Sequence, residues 1–304
     1  MSEAQVIAAT DAELGAVPSS KPRGLLVRAW EVFAENKLAL AGLSFIVFIL
    51  LFCFVGPHLY VTNQTNTDLS TYLCKPSGAH LLGCDDLGYD ELGRLMVGGQ
   101  TSLEVGLAAA VVSVLFGTLY GAISGFAGGI VDSLMMRVVD AGLSLPSLMV
   151  IIILSVIFHP TTTTIIFIIA IFYWFGVARL VRGETLALRN REYVQAVKVV
   201  GGSPLRSVIR HIVPNAIGTI IVQTTFAVAD SILTLSVLGF LTLGVAPPST
   251  DWGSMLSGGL TYIQGGNYWW LIYPPGIAII LTCIAFNFIG DALRDSFETR
   301  LQRR

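Results

Sequence analysis

Few residues of this 304-residue chain have both the type and the setting to do chemistry. Asp230 is the clearest. It lies in the middle of an apolar run, where a charge is strongly unfavourable. It must face a wet pathway, meet a polar partner on another segment, or carry a proton; the role assigned to it is a translocation pathway or its gate. Arg137 and Asp140 lie three residues apart, the spacing of a local ion pair. His58, His80, His159 and His211 are dispersed and read as loop or helix-end residues. Cys53 and Cys283 lie in apolar runs and read as small buried hydrophobes. Cys74 and Cys84 share one polar segment, where an oxidising exterior makes a disulfide plausible. No cysteine or histidine spacing suits zinc. No G-x-x-x-x-G-K-S/T loop, H-E-x-x-H or G-x-S-x-G string occurs, so no catalytic, metal or nucleotide site is assigned to this chain.

One charged stretch interrupts the apolar C-terminal two-thirds: Arg189 to Asn215. Within it Tyr193, Ala196, Val197 and Val200 fall at i, i+3, i+4 and i+7 and share one helical face. Arg191, Gln195 and Lys198 share another. Gly201 and Gly202 can end this helix, and Ser203-Pro204 can begin a second. A helix this short is marginal alone in water. It either rests on a membrane surface or docks its apolar face on a partner.

These elements must sit in a membrane. The chain is 54% hydrophobic and 12% charged, against about 25% charged in soluble proteins. Six apolar runs are each about 20 residues or more, enough to span a bilayer: Leu38–Leu59, Thr101–Gly125, Leu134–Phe158, Thr163–Val181, Ala216–Gly244 and Trp269–Gly290. None shows the alternation of an outer-membrane barrel. The expected fold is an all-α integral membrane protein with six transmembrane helices. A 60–95 loop would stand outside, and the 186–214 loop, with its short helix, would join spans four and five. Of the 18 Lys and Arg residues, only Lys75 and Arg94 fall in segments that six spans place outside. By the positive-inside rule, both termini and the Arg189–Asn215 loop are cytoplasmic. Residues 1–20 read as a disordered tail, 21–37 as an interfacial helix or a continuation of the first span, 38–294 as the membrane domain and 295–304 as a second tail. Gly117, Gly121 and Gly125 line one helix face, suited to close packing on another chain or within this one. Ser144–Ser147 and Ala246–Ser249 read as bends.

The charged stretch resembles the coupling loop of ATP-binding-cassette importer permeases, a Glu-Ala-Ala motif followed by Gly and a hydrophobic-Pro close. The matching positions are Gln195, Ala196, Val197, Gly201, Ile212, Val213 and Pro214, with Gln195 in place of the usual glutamate and Val197 in place of the second alanine. The string from His80 to Asp90 resembles a signature of the dipeptide/oligopeptide/nickel permeases, with Leu81, Cys84 and Tyr89 departing from it. Gly244–Pro248, Asp251–Leu256, Ala285–Asp295 and the lead-in Leu186–Tyr193 look like further parts of that family. The resemblance runs from about Asn36 to Asp295 and fits the C-type permease subunit. It implies a peptide importer subunit in a prokaryotic plasma membrane, with nickel or glutathione import as the alternative within the family. It further implies a homologous permease, two ATP-binding subunits holding ATP and Mg, an external substrate-binding protein and membrane lipid as partners, and no nucleic acid. Glu192, Tyr193, Gln195, Ala196, Val197, Gly201 and Pro214 would couple the chain to the ATPases. An ion-driven secondary transporter is the competing class; it would call for paired intramembrane charges and inverted repeats, and only Asp230 stands isolated.

Overall fold

In the computed structural model the described residues are 33–302, apart from 65, 159–160, 200–202 and 263–265. The expected tail 1–20 and residues 21–32 of the expected interfacial helix 21–37 lie outside them. The described chain is built from α1 (Lys37–Phe54), α2 (Glu91–Ala127), α3 (Gly129–Ser144), α4 (Ser147–Ile157), α5 (Thr162–Leu188), α6 (Glu192–Val199), α7 (Ile217–Phe240), α8 (Trp252–Leu260) and α9 (Tyr273–Gln302), with short helical turns between them.

Side-chain caps set several of the starts. Asn36 accepts from the Leu38 and Ala39 amides and separates α1 from the turn before it. Thr161 accepts from Thr164 N to open α5. Asp90 accepts from Gly93 N at 2.9 Å, so α2 begins at Glu91, well before the apolar run that marks it in the sequence. Residues 91–95 of the loop expected over 60–95 are therefore helical.

α1, α2, α5, α7 and α9 are each long and apolar enough to cross a membrane. α3 and α4 add a sixth passage if taken as one span, but they are bent 81° apart. The passage expected over Leu134–Phe158 is thus bent sharply where Ser144–Ser147 reads as a bend. Pro146 causes the break: it lacks an N–H and drives the preceding residue out of helical space, and Leu145 sits at φ −83°, ψ 139°.

The long helices pack in the order α1, α9, α7, α2, α5, and α3 and α4 lie on α5. Glycines make the close approaches. A Cβ on Gly42 would stand 2.9 Å from the Ala285 carbonyl oxygen, joining α1 to α9. Gly117 faces Trp174 and Val177, Gly121 faces Ala178, and Gly125 faces Arg182 and Thr185. The glycine stripe is therefore consumed in packing α2 on α5 within this chain.

Polar ties add to it. Arg182 Nε and Nη2 donate to the two oxygens of Asp132 at 2.6 Å each, and Ser124 Oγ donates to the same carboxylate. Such bidentate charged pairs are stronger and more directional than neutral hydrogen bonds. One residue from each of α2, α3 and α5 is thereby locked together. Asp140 is bridged by Arg179 at 2.5 Å, across helices, and not by Arg137 as its sequence spacing suggests. A long partner on a packed helix wins over a neighbour on the same one.

Candidate functional site

Three regions bear polar groups in places where a membrane bundle does not need them. The first caps the end of the bundle where α2 begins. Cys74 and Cys84 are bonded there, with Cα atoms 4.8 Å apart, and Cys84 N donates to Cys74 O. The turn after Cys84 is tight: Gly88 N donates to Asp85 O, and Asp85 Oδ1 accepts from Leu87 N and Tyr89 N. Gly83 and Gly88 have φ of +75° and +81°, and a Cβ on either would collide with a carbonyl of the 68–74 segment. Asp90 is fully occupied by Tyr60 OH, His80 Nδ1 and Gly93 N.

His80 also lies within 4.8 Å of both cysteine sulfurs. Those sulfurs are bonded to each other and so are not thiolates able to hold a metal. The bridge closes a loop of ten residues, worth at most ~3 kcal/mol in the chain-entropy account. Mass spectrometry of a non-reduced digest of the purified protein is expected to show the Cys74 and Cys84 peptides cross-linked; two freely alkylated thiols would exclude the bond.

α8 completes this cap. Asp251 and Ser254 form a reciprocal capping box, and the Asp251 side chain is fully buried. Trp252 is 0% exposed; its Nε1 donates to Leu95 O at 2.9 Å and its backbone N to Ser102 Oγ. Gly99 of α2 makes room for its ring. A cavity of about 460 Å³ lies between α8, the Thr242–Thr250 loop and the Asp85–Arg94 segment. Burial pushes the Asp85 carboxyl above the usual range, outweighing the Tyr89 and Leu87 amides and the Arg94 charge. Glu91 also belongs to this wall and is 2% exposed. Glu91 follows directly on the His80–Asp90 string and is not among the residues that the sequence singles out. An acidic residue directly after Asp90, with Arg94 following, is itself a helix-start signal.

The second region is Asp230, in the middle of α7. It is exposed on the flank of the chain, and its carboxylate has no hydrogen-bond or ion-pair partner among the described residues. Beside it Tyr173 of α5 shares a hydrogen bond with Thr234 Oγ1 at 2.7 Å and donates to the Asp230 backbone carbonyl at 3.3 Å. The flank therefore presents a phenol, a hydroxyl and a carboxylate at one depth, bordered by the exposed Leu233.

The third region is α6, at the opposite end, directly after α5. Glu192 and Gln195 are exposed, and Gln195 Nε2 donates to Arg189 O at 3.2 Å. Val194 is fully buried and Val197 half-buried, so Val194 anchors the helix, a residue outside the face read from spacing. Gly201 lies outside the described residues, as do the side chains of Tyr193 and Ala196. Pro214 is exposed, between the π-turn Val208–Ile212 and α7. The structure keeps these three regions apart: Asp230 lies mid-helix between the cap and the α6 loop.

A multi-pass helical bundle with a polar flank and a terminal loop helix defines a class, a membrane-embedded transport component. The chain belongs to the family described as binding-protein-dependent transport system inner membrane component, which matches residues 117–303. Residues 24–76 match the N-terminal TM domain of oligopeptide transport permease C. The chain is 39% identical over 275 residues to the dipeptide transport system permease protein DppC of Bacillus subtilis, covering 90% of this chain and 86% of that one. It is 39% identical over 285 residues to the oligopeptide transport system permease protein OppC of the same organism, covering 94% and 93%. The OppC protein of Haemophilus influenzae is 39% identical over 280 residues, covering 91% and 89%.

Proposed function

We propose that this chain is the permease subunit of an ATP-driven importer of di- or oligopeptides, and that it forms the translocation path together with a homologous permease. The observation that carries the reading is the match to peptide permeases along about nine-tenths of the chain, at 39% identity. Hydrolysis of ATP, with its Mg, falls to two partner subunits. An external binding protein delivers the peptide to the cap, and the exposed apolar surfaces of α3 and α4, such as Leu134, Met149 and Val156, face lipid or the sister permease. Sixteen of 18 basic residues lie at the termini, at Arg137 or around Arg179–Arg210, which supports cytoplasmic termini and six passages.

α6 is the ATPase contact in this reading. Glu192, Tyr193, Gln195, Ala196 and Val197 offer the surface, and Gly201 and Pro214 set how the loop leaves and re-enters the bundle. The short amphipathic helix gains its missing partner in a groove of the ATPase. Purification of the chain with its native partners tests the assembly: co-elution of a second permease and two ATPases is expected, and a chain that transports alone would overturn it. The coupling role is tested by Gly201→Val. Valine resists the left-handed turn expected there, at a cost of about 1–2 kcal/mol. Peptide uptake is expected to fall severalfold while the isolated ATPase keeps its rate. Normal uptake and assembly would remove α6 from the coupling path.

A further inference from the structure

The cavity at the cap is acidic and only partly neutralised. Asp85, Asp86 and Glu91 stand in its wall with one cation, Arg94. Arg94 is already engaged: Nη1 donates to Pro248 O at 3.1 Å, Nε lies 3.9 Å from Asp85, and the guanidinium stacks 4.4 Å above the Tyr89 ring. Asp85 takes two backbone amides, and Asp86 accepts from Tyr262 OH at 3.1 Å. Glu91 differs from both. It is 2% exposed, it borders the cavity, and its carboxylate has no hydrogen-bond or ion-pair partner among the described residues. A carboxyl group removed from water either holds a proton or is paired with something that offsets its lost hydration.

The geometry narrows what that something is. A divalent cation needs several oxygens converging on one point. Among the described residues only Cys74, His80 and Cys84 bring three donor atoms so close; the three carboxylates do not. The remaining wall is neutral and rich in hydroxyls, including Thr242, Ser249, Ser257 and Thr261. One charge partner surrounded by hydroxyl acceptors suits a group with several N–H donors and a single charge. The volume, about 460 Å³, is that of a small-molecule site and too large for a bare ion.

We infer that this cavity receives the free ammonium group of a peptide at the mouth of the pathway, with Glu91 as its charge partner. The inference rests on reading the chain as a peptide permease. It makes the cap a station that reads the amino terminus before the peptide enters the bundle. An N-acetylated peptide has no charge to offer and would leave Glu91 unpaired.

The assembled complex in lipid nanodiscs, without its binding protein, is treated with a carbodiimide, and modification of Glu91 is read by mass spectrometry. The probes are dialanine and tetraalanine and their N-acetylated forms. The free peptides are expected to lower labelling of Glu91 roughly tenfold, and the acetylated forms to leave it unchanged. Equal labelling with and without free peptide overturns the inference, as does equal protection by the acetylated forms. Protection by peptide-free binding protein alone also overturns it and assigns the cavity to a docking lysine. Uptake is measured in parallel in vesicles carrying the whole transporter. Glu91→Gln is expected to lower uptake of the free peptides roughly tenfold while assembly and ATP hydrolysis persist; unchanged uptake counts against the inference. If the parent complex imports these peptides and Glu91 labelling does not respond, the inference fails alone. If the complex imports no peptide, the permease reading fails and takes the inference with it.

Discussion

Replacing Trp252 with alanine is expected to lower the stability of the folded chain by about 3–5 kcal/mol, the range for deleting a large buried aromatic. The ring is fully buried in the main core cluster with Leu95, Leu103 and Ile232. Its removal leaves a cavity that backbone cannot easily fill, because Gly99 has no side chain to extend into it. It also removes the Nε1–H that donates to the Leu95 carbonyl in addition to that carbonyl's place in the α2 ladder. Trp252→Phe separates the two effects: phenylalanine keeps most of the packing and loses the bond, for about 1–3 kcal/mol. Thermal unfolding in detergent, followed by tryptophan fluorescence or scattering, provides the measurement. The alanine variant should melt more than about 6 °C below the parent, with the phenylalanine variant between them. A parent-like melting point for the alanine variant would mean that α8 is not held by this residue. Because α8 also walls the cap cavity, the alanine variant should label faster at Glu91 than the parent does.

Asp230 carries the largest expected effect on transport. Its carboxylate is exposed on the chain's own flank and lacks a partner there. A charge there is costly in hydrocarbon, so the position calls for water, a polar surface on another subunit, or a proton on the carboxyl. Asp230→Asn keeps size and hydrogen bonding and removes the charge; Asp230→Leu removes both. If the charge serves the pathway, Asn should lower uptake in reconstituted vesicles by about tenfold or more, with complex yield and ATP binding retained. If the side chain only satisfies a neighbouring helix, Asn should transport normally and Leu should assemble poorly. Assembly and uptake are therefore measured on the same preparations. Full uptake and normal assembly in both variants would leave the residue without a role and would falsify the pathway assignment.

The parts of the fold legible in the sequence are those governed by local composition. Runs of apolar residues announced α1, α2, α5, α7 and α9, because a bilayer core demands them. Ser203-Pro204 announced the helical turn that starts at Pro204, whereas the Gly201-Gly202 stop expected for α6 lies outside the described residues. What escaped was set by partners distant in sequence. Arg179 took Asp140 from Arg137 because α3 and α5 lie side by side. Val194, which the spacing did not single out, is fully buried in α6, a placement that only the folded chain reveals. The glycine stripe left two destinations open, and only the α5 surface, with Ala178 opposite Gly121, decided between them. Glu91 was hidden because its significance comes from Thr242, Ser257 and Tyr262, more than a hundred residues away, which close a space around it. Of the residues proposed for ATPase coupling, the structure describes Glu192, Gln195, Val197 and Pro214, while Gly201 and the side chains of Tyr193 and Ala196 lie outside the described residues.

The glycine contacts between α2 and α5 have a mechanical consequence. Backbone lies against backbone at three successive points along these helices, with Arg182 and Asp132 pinning the same end. Sliding one helix past the other would drive Ala178 and Val177 out of slots that only glycine leaves open, and packed interiors resist such shear. α2 has 37 residues and so reaches about 55 Å, farther than a bilayer core is thick. The pair behaves as a single strut. A push on the C-terminal end of α5, where α6 begins, is then expected to reach the other end of α2, where Glu91 and Arg94 stand in the wall of the cap cavity.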